Sequence, residues 1–144
     1  MRKGYIGVMG GLLLGALAAP VGAQAPSEQP QQPDAVAILK DAEGAEVGTA
    51  GLHTTPHGML LEVSLDGVPQ GTHAFHIHTT GTCEPPFKSA GGHFNPTDKQ
   101  HGFKNEAGPH AGDLPNIHVP ESGQLDFEVL ARDVTLSEGQ NALL

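Results

Sequence analysis

One stretch of this chain, residues 76–113, constrains its structure more than any other. It ends at Asp113 and holds five of the nine histidines: His76, His78, His93, His101 and His110. Imidazole is the commonest metal ligand and suits both copper and zinc, and aspartate adds an oxygen that zinc accepts. The stretch therefore predicts a metal site, with bound metal as a main ordering force.

Length and composition narrow the class of protein. A chain of 144 residues predicts a single domain. Its net charge of −9 argues against nucleic-acid binding, because phosphate contacts require clustered Lys and Arg. The 20 glycines, 12 prolines and absence of tryptophan favour many short strands and turns over a helical bundle. A single cysteine, Cys83, allows no intrachain disulfide.

The N-terminal 33 residues divide into two segments that precede the predicted domain. Residues 1–23 have a basic start, an apolar run and small residues at the end, which is the pattern of a secretory signal peptide. A membrane anchor is the alternative, but glycines interrupt the run and its apolar part is short for a span. Residues 24–33 are rich in Gln and Pro and predict a flexible linker. We therefore expect a periplasmic or secreted protein that leaves the membrane once the signal is cleaved, with a domain at 34–144.

The sequence of the domain itself predicts strands separated by turns. Apolar alternation or β-branched runs predict strands at 35–40, 46–54, 59–65, 72–78 and 124–130, and 134–136 could begin another. This spacing predicts an all-β antiparallel sandwich or barrel. Residues 79–120 show almost no periodicity and are interpreted as one long loop ordered by metal.

The first pair of candidate ligands is His76 and His78. On a strand, residues i and i+2 point to the same face, so the two imidazoles would project together while Ile77 faces the core. Two imidazoles on one strand supply half of a nitrogen-rich metal site. A pair of surface histidines on an edge strand is the alternative.

The second set of candidate ligands is spread along the loop. It consists of His93, His101, His110 and Asp113, flanked by glycines that permit tight bends. Three imidazoles and one carboxylate make a closed tetrahedral set of the kind that holds structural zinc. Chance clustering of histidines in a polar loop is the alternative.

Together these motifs resemble the copper/zinc superoxide dismutases in their secreted bacterial form. Residues 75–78 (FHIH) resemble the family's strand motif with two copper ligands, and 92–96 (GHFNP) the segment with the histidine shared by both metals. His101, His110 and Asp113, followed by 114–116 (LPN), match the zinc loop. The resemblance implies that copper is bound by His76, His78 and His93, that zinc is bound by His93, His101, His110 and Asp113, and that the three copper histidines are catalytic.

The same resemblance implies a fold and a reaction. The fold would be a Greek-key β-barrel, and the reaction the dismutation of superoxide to oxygen and hydrogen peroxide in antioxidant defence. Cys83 matches a loop cysteine that forms a disulfide in the family. Its partner, a fourth copper histidine, a guiding arginine and the last two strands would follow the end of this sequence, so the domain is expected to be incomplete.

Two alternatives stay open at this stage. The chain is either a dismutase whose sequence is incomplete here, or a catalytically impaired zinc- and copper-binding remnant or module completed by another chain. The oligomeric state is also open, and a homodimer is one of its alternatives.

Overall fold

The computed structural model describes residues 31–143. The predicted signal peptide at 1–23 and most of the predicted linker lie outside the described residues. Residues 31–33 have no regular secondary structure, and the backbone N–H of Asp34 donates to the carbonyl of Leu52 (2.8 Å). Within the part of the chain that is described, no helix is long and apolar enough to cross a membrane.

In residues 31–143, six strands, all paired antiparallel, form two sheets. They are β1 (Ala35–Lys40), β2 (Glu46–Thr55), β3 (Gly58–Leu65), β4 (Gly71–His76), β5 (Asp113–Val119) and β6 (Leu125–Ala131). The larger sheet has the order β1-β2-β3-β6, and the smaller consists of β4 and β5. A single 3₁₀ turn (Lys88–Ala90) lies between β4 and β5.

The core lies on one face of the larger sheet because β3 alternates strictly. Of its apolar residues, Met59, Leu61, Val63 and Leu65 are buried, and Leu60 is half-buried. Glu62 and Ser64, which point to the other face, are exposed. Val63 pairs with Ala50 of β2 on one side and Phe127 of β6 on the other, so apolar residues continue across three strands.

The smaller sheet contributes to the same core. Leu114 and Val119 of β5 are buried in the cluster that includes the β3 residues. Phe75 of β4 meets Phe127 of β6 edge to face, with ring centroids 5.4 Å apart and an interplanar angle of 78°. Such an arrangement is favoured by the quadrupoles of the two rings. The expectation of an all-β antiparallel sandwich or barrel is confirmed.

The prediction of one long loop at 79–120 was wrong at its C-terminal end, where β5 forms. The register slips between His73 and Phe75: three residues of β5 span the distance that two residues of β4 cover. This bulge, together with Pro115, interrupts the alternation that marks a strand in sequence. The pairing partner, not the local pattern, therefore determines this strand.

Two other boundaries differ from expectation. The strand predicted at 72–78 ends at His76: the N–H of Ile77 still donates to Gly112, but the N–H of Gly112 donates to Phe94 instead of returning the bond to Ile77. Residues 134–136 form no strand, although Thr135 makes an isolated parallel bridge with Ala142. His73 lies within β4, where its Nε2 contacts the carbonyl of Pro69 at 2.7 Å.

Candidate metal centre

The site begins where β4 ends and β5 starts. His76 is the last residue of β4, Asp113 is the first residue of β5, and the two are direct partners in the ladder. Asp113 is only 5% exposed, and in the described part of the chain it is the one buried polar or charged residue. A buried carboxylate is costly unless it is hydrogen-bonded or holds a cation. The strand pairing therefore creates a location that requires a positively charged or hydrogen-donating environment.

Four imidazole nitrogens approach this carboxylate, and three of them belong to the predicted zinc set. The Nδ1 atoms of His93 and His101 each lie 3.0 Å from Asp113 Oδ1, and Nδ1 of His110 lies 3.5 Å from it. The Nδ1 atoms of His110 and His93 are 3.4 Å apart. All four side chains offer ligand atoms within 4.8 Å of one another.

These separations can be compared with what zinc requires. A tetrahedral ion bound at about 2.0–2.1 Å by nitrogen or oxygen places its ligand atoms about 3.3 Å apart. Four of the six ligand-atom separations, at 3.0 to 3.5 Å, bracket that value, and all the ligand atoms lie within 4.8 Å of one another. The side chains of the predicted zinc set thus fit a tetrahedral zinc ion in ligand type and number, and four of their separations match its geometry.

The second oxygen of Asp113 fixes the orientation of the carboxylate. Its Oδ2 accepts hydrogen bonds from the backbone N–H groups of Gly102 (2.8 Å) and His110 (3.0 Å). Burial acts to raise the pKa of Asp113, but these N–H groups and the His101 and His93 rings outweigh burial and lower the pKa well below its usual range. The carboxylate therefore stays an anion, with Oδ1 directed at the three imidazoles.

A side chain that sequence reasoning missed holds the segment between the first two histidines of this set. Asn95 accepts a hydrogen bond from the N–H of Lys99 (2.9 Å) and donates one to the Lys99 carbonyl (3.0 Å). Farther along the chain, Gln140 donates from Nε2 to the carbonyl of Pro96 (2.6 Å). The Asn-Pro dipeptide at 95–96 is a turn signal that identifies the first contact, whereas the local sequence gives no sign of the second.

His76 contacts both His93 and Asp113 of this set. The two rings stack with centroids 3.9 Å apart and 20° between their planes. Nδ1 of His76 is buried and has no hydrogen-bond partner, although it lies 3.4 Å from Asp113 Oδ1. Burial, and then the neighbouring His93, lower the pKa of His76, which favours the neutral, ligating form. An orphaned buried ring nitrogen of this kind is what a metal ligand without its metal looks like.

His78 lies beyond the end of β4 but is still held against His93. The two residues form an isolated antiparallel bridge, and their ring centroids are 5.3 Å apart. Nδ1 of His78 lies 3.0 Å from the carbonyl of Gly91, which can only accept, so this nitrogen carries the proton. Nε2 is then left with the free lone pair that a metal needs.

The structure therefore divides the predicted site residues into three groups. His93, His101, His110 and Asp113 form one group, and His76 and His78 contact His93 but lie outside that group. Cys83 is exposed and unpaired. The structure thus brings six of the predicted residues into one site, while the assignment of particular metals to them stays a prediction.

An antiparallel two-sheet fold with a buried carboxylate and a cluster of imidazoles defines a class of metal-binding β-proteins. Residues 34–144 match the family described as "Copper/zinc superoxide dismutase (SODC)". The chain belongs to the copper/zinc superoxide dismutase family.

The chain is also similar in sequence and structure to individual proteins. The chain is 47% identical over 106 residues to superoxide dismutase [Cu-Zn] 2 of Aquifex aeolicus, covering 72% of this chain and 62% of that protein. A superoxide dismutase-like protein from Bacillus subtilis has a similar structure (TM-score 0.71, 37% identity), covering 74% of each chain. Cu/Zn superoxide dismutase from Brucella abortus is more distant (TM-score 0.54, 28% identity, 67% of this chain and 69% of that chain). The chain thus spans less than two thirds of the length of the Aquifex relative.

Proposed function

We propose that the chain provides the metal centre of a superoxide dismutase, which converts two superoxide anions and two protons to dioxygen and hydrogen peroxide. The observation that carries the proposal is the position of His93. Its Nδ1 belongs to the group around Asp113, while its ring lies against both His76 and His78. Family membership supports the reaction.

The residues present fit two metals. His93, His101, His110 and Asp113 would hold zinc, and His76, His78 and the Nε2 atom of His93 would hold copper. When bound, copper supplies a one-electron redox couple for which nitrogen ligands are well suited, and zinc supplies a fixed positive charge.

The chain's own residues contribute orientation. Asp113 holds the Nδ1 side of His93 at 3.0 Å, so the ring keeps the direction in which it presents Nε2. The Gly91 carbonyl fixes the tautomer of His78 in the same way. Both contacts orient a ring nitrogen before any substrate arrives.

Dismutation by the metal-loaded chain tests this proposal. The full chain would be loaded with copper and zinc and assayed for the disappearance of superoxide, beside His93→Ala and His57→Ala. His57 is exposed in the turn between β2 and β3 and is the matched control. We expect activity in the wild type and in His57→Ala and its loss in His93→Ala. Equal activity in all three proteins would overturn the proposed role of His93.

A zinc-binding role without dismutation is the second candidate. The observation that favours it is that four donors, a complete set for one zinc ion, lie within 4.8 Å of one another. One zinc ion per chain without superoxide turnover, after loading with both metals, would select this candidate over the first.

We propose further that the protein acts outside the cytoplasm. The support is the signal-peptide pattern of residues 1–23. Fractionation of cells followed by N-terminal sequencing tests this directly, and we expect a periplasmic or secreted protein that begins at Gln24. A membrane-bound protein that retains Met1 would contradict it.

A further inference from the structure

Three backbone hydrogen bonds form a closed ring among Ile77, Phe94 and Gly112. The N–H of Ile77 donates to Gly112 (2.9 Å), the N–H of Gly112 donates to Phe94 (2.8 Å), and the N–H of Phe94 donates to Ile77 (2.8 Å). Each residue thus gives one hydrogen bond and accepts one. These lengths lie in the normal range for N–H to carbonyl bonds.

Each member of the ring adjoins residues of the proposed metal site. Ile77 lies between His76 and His78, Phe94 follows His93, and Gly112 precedes Asp113. These segments are distant in sequence, and the ring is where their backbones meet. A shift of one ring residue therefore moves the neighbouring ligand relative to the others.

The ring is anchored to the core as well as to the site. The side chains of Ile77 and Phe94, and of Ala111 beside Gly112, pack against the buried cluster around β3. This packing involves apolar contacts alone and needs no metal. The three backbones are consequently held together by this packing as well as by their own hydrogen bonds.

Only glycine fits at position 112, for a steric reason. A Cβ placed there would collide with the carbonyl oxygen of Ile77, and it would lie 3.0 Å from both the N and the Cβ of Phe94. Gly112 is not among the glycines with positive φ, so alanine could adopt its torsion angles. The requirement arises from the close approach of the three backbones.

We propose that the ring forms in the metal-free chain and that Gly112 is a positioning residue, which sets the mutual placement of the ligand-bearing segments before metal binds. The proposal rests on the proposed metal sites but not on superoxide turnover. Preformed ligands bind more tightly because less ordering is needed on binding. Outer contacts of this kind commonly contribute roughly 10- to 100-fold to metal affinity.

Amide hydrogen exchange of the metal-free wild-type chain, followed by NMR, tests whether the ring forms without metal. We expect the amides of Ile77, Phe94 and Gly112 to exchange slowly without metal, to an extent comparable with the amide of Val63 in the core strand β3. Slow exchange that appears only after zinc is added would overturn the proposal, because the metal would then create the ring.

The positioning role of Gly112 is tested by comparing Gly112→Ala with Gly81→Ala. Gly81 also lacks a positive φ, but a Cβ there meets nothing within 4 Å, so it is the matched control. We expect Gly112→Ala to lose roughly 10- to 100-fold in zinc affinity by chelator competition. We also expect an altered visible spectrum with cobalt(II) in place of zinc, and no change in either measurement for Gly81→Ala.

The outcomes of these two experiments can be distinguished from the outcome of the dismutase assay. An unchanged zinc affinity and cobalt spectrum in Gly112→Ala would refute the positioning role, whatever the dismutase assay shows. If Gly112→Ala does not fold, the exchange experiment on the wild-type chain still decides whether the ring precedes the metal. Protected ring amides in a chain without dismutase activity would refute the reaction and leave the inference intact.

Discussion

The imidazole of His76 stacks on the imidazole of His93, with ring centroids 3.9 Å apart and 20° between the ring planes. His76 ends β4, whereas His93 lies in the segment after the 3₁₀ turn. Asp113 lies within 3.4 Å of Nδ1 of His76 and 3.0 Å of Nδ1 of His93. One carboxylate therefore organises both rings, and this coupling underlies the first prediction.

Removing His93 should disturb both metals. We expect His93→Ala to bind zinc and copper more weakly by more than the roughly 10- to 100-fold that loss of an outer-shell partner costs. The reason is that the ring contacts both His76 and His78 and also belongs to the Asp113 group. Metal content after loading with both ions and dialysis measures the effect.

His110→Ala is the matched comparison for that experiment. Nδ1 of His110 lies 3.4 Å from Nδ1 of His93 and 3.5 Å from Asp113 Oδ1, within the predicted zinc set. We expect this variant to lose zinc while retaining most of its copper. Equal copper loss in the His93 and His110 variants would argue against His93 as a shared ligand.

Truncation of the most buried side chain should destabilise the fold without touching the site. Met59 is 0% exposed, and deletion of a buried Met side chain costs about 2–5 kcal/mol of the free energy of unfolding. Urea unfolding of Met59→Ala measures this cost. Ser64→Ala, on the exposed face of the same strand, should change the free energy of unfolding by less than about 0.5 kcal/mol. Similar values for both variants would contradict the placement of the core.

Asp34 should make stability depend on pH. The backbone N–H of Thr54 donates to its carboxylate (2.7 Å) and lowers the pKa of Asp34, with a further contribution from His53. Because the folded-state pKa is below the unfolded value, this stabilisation is complete above about pH 4 and is lost as pH falls through the folded-state pKa.

Thermal unfolding of Asp34→Asn beside the wild type tests that dependence. At pH 7 we expect the wild type to melt at the higher temperature, since asparagine keeps an acceptor but lacks the charge. The difference should narrow as pH is lowered below 4. A difference in melting temperature that stays constant down to pH 3 would mean that ionisation of Asp34 is not its source.

Cys83 should form disulfides between chains under oxidising conditions. It is the one cysteine in the sequence, and its side chain is exposed and unpaired. We expect a covalent dimer on a non-reducing gel after oxidation, which disappears on reduction and in Cys83→Ser. A monomeric band in the oxidised wild type would show that the thiol is not accessible to a second copy.

Much of the fold follows from local pattern. The strands β1, β2, β3 and β6 were predicted within one or two residues of their bounds, because alternation such as that of Met59 to Leu65 reports directly which face is buried. The strand β5 was missed. A bulge opposite His73 and Phe75 and the proline at position 115 remove its alternation, so only pairing with β4 reveals it.

For the site, sequence determined the chemistry and tertiary structure determined the arrangement. The residue types, histidines with a following aspartate among glycines, are enough to predict a metal site and to indicate a family. Sequence spacing could not show that His76 stacks on His93, that Gly91 fixes the tautomer of His78, or that Gly112 closes a backbone ring. Those contacts join segments distant in the chain, and they exist only because β4 pairs with β5 and both pack on the core formed by β3.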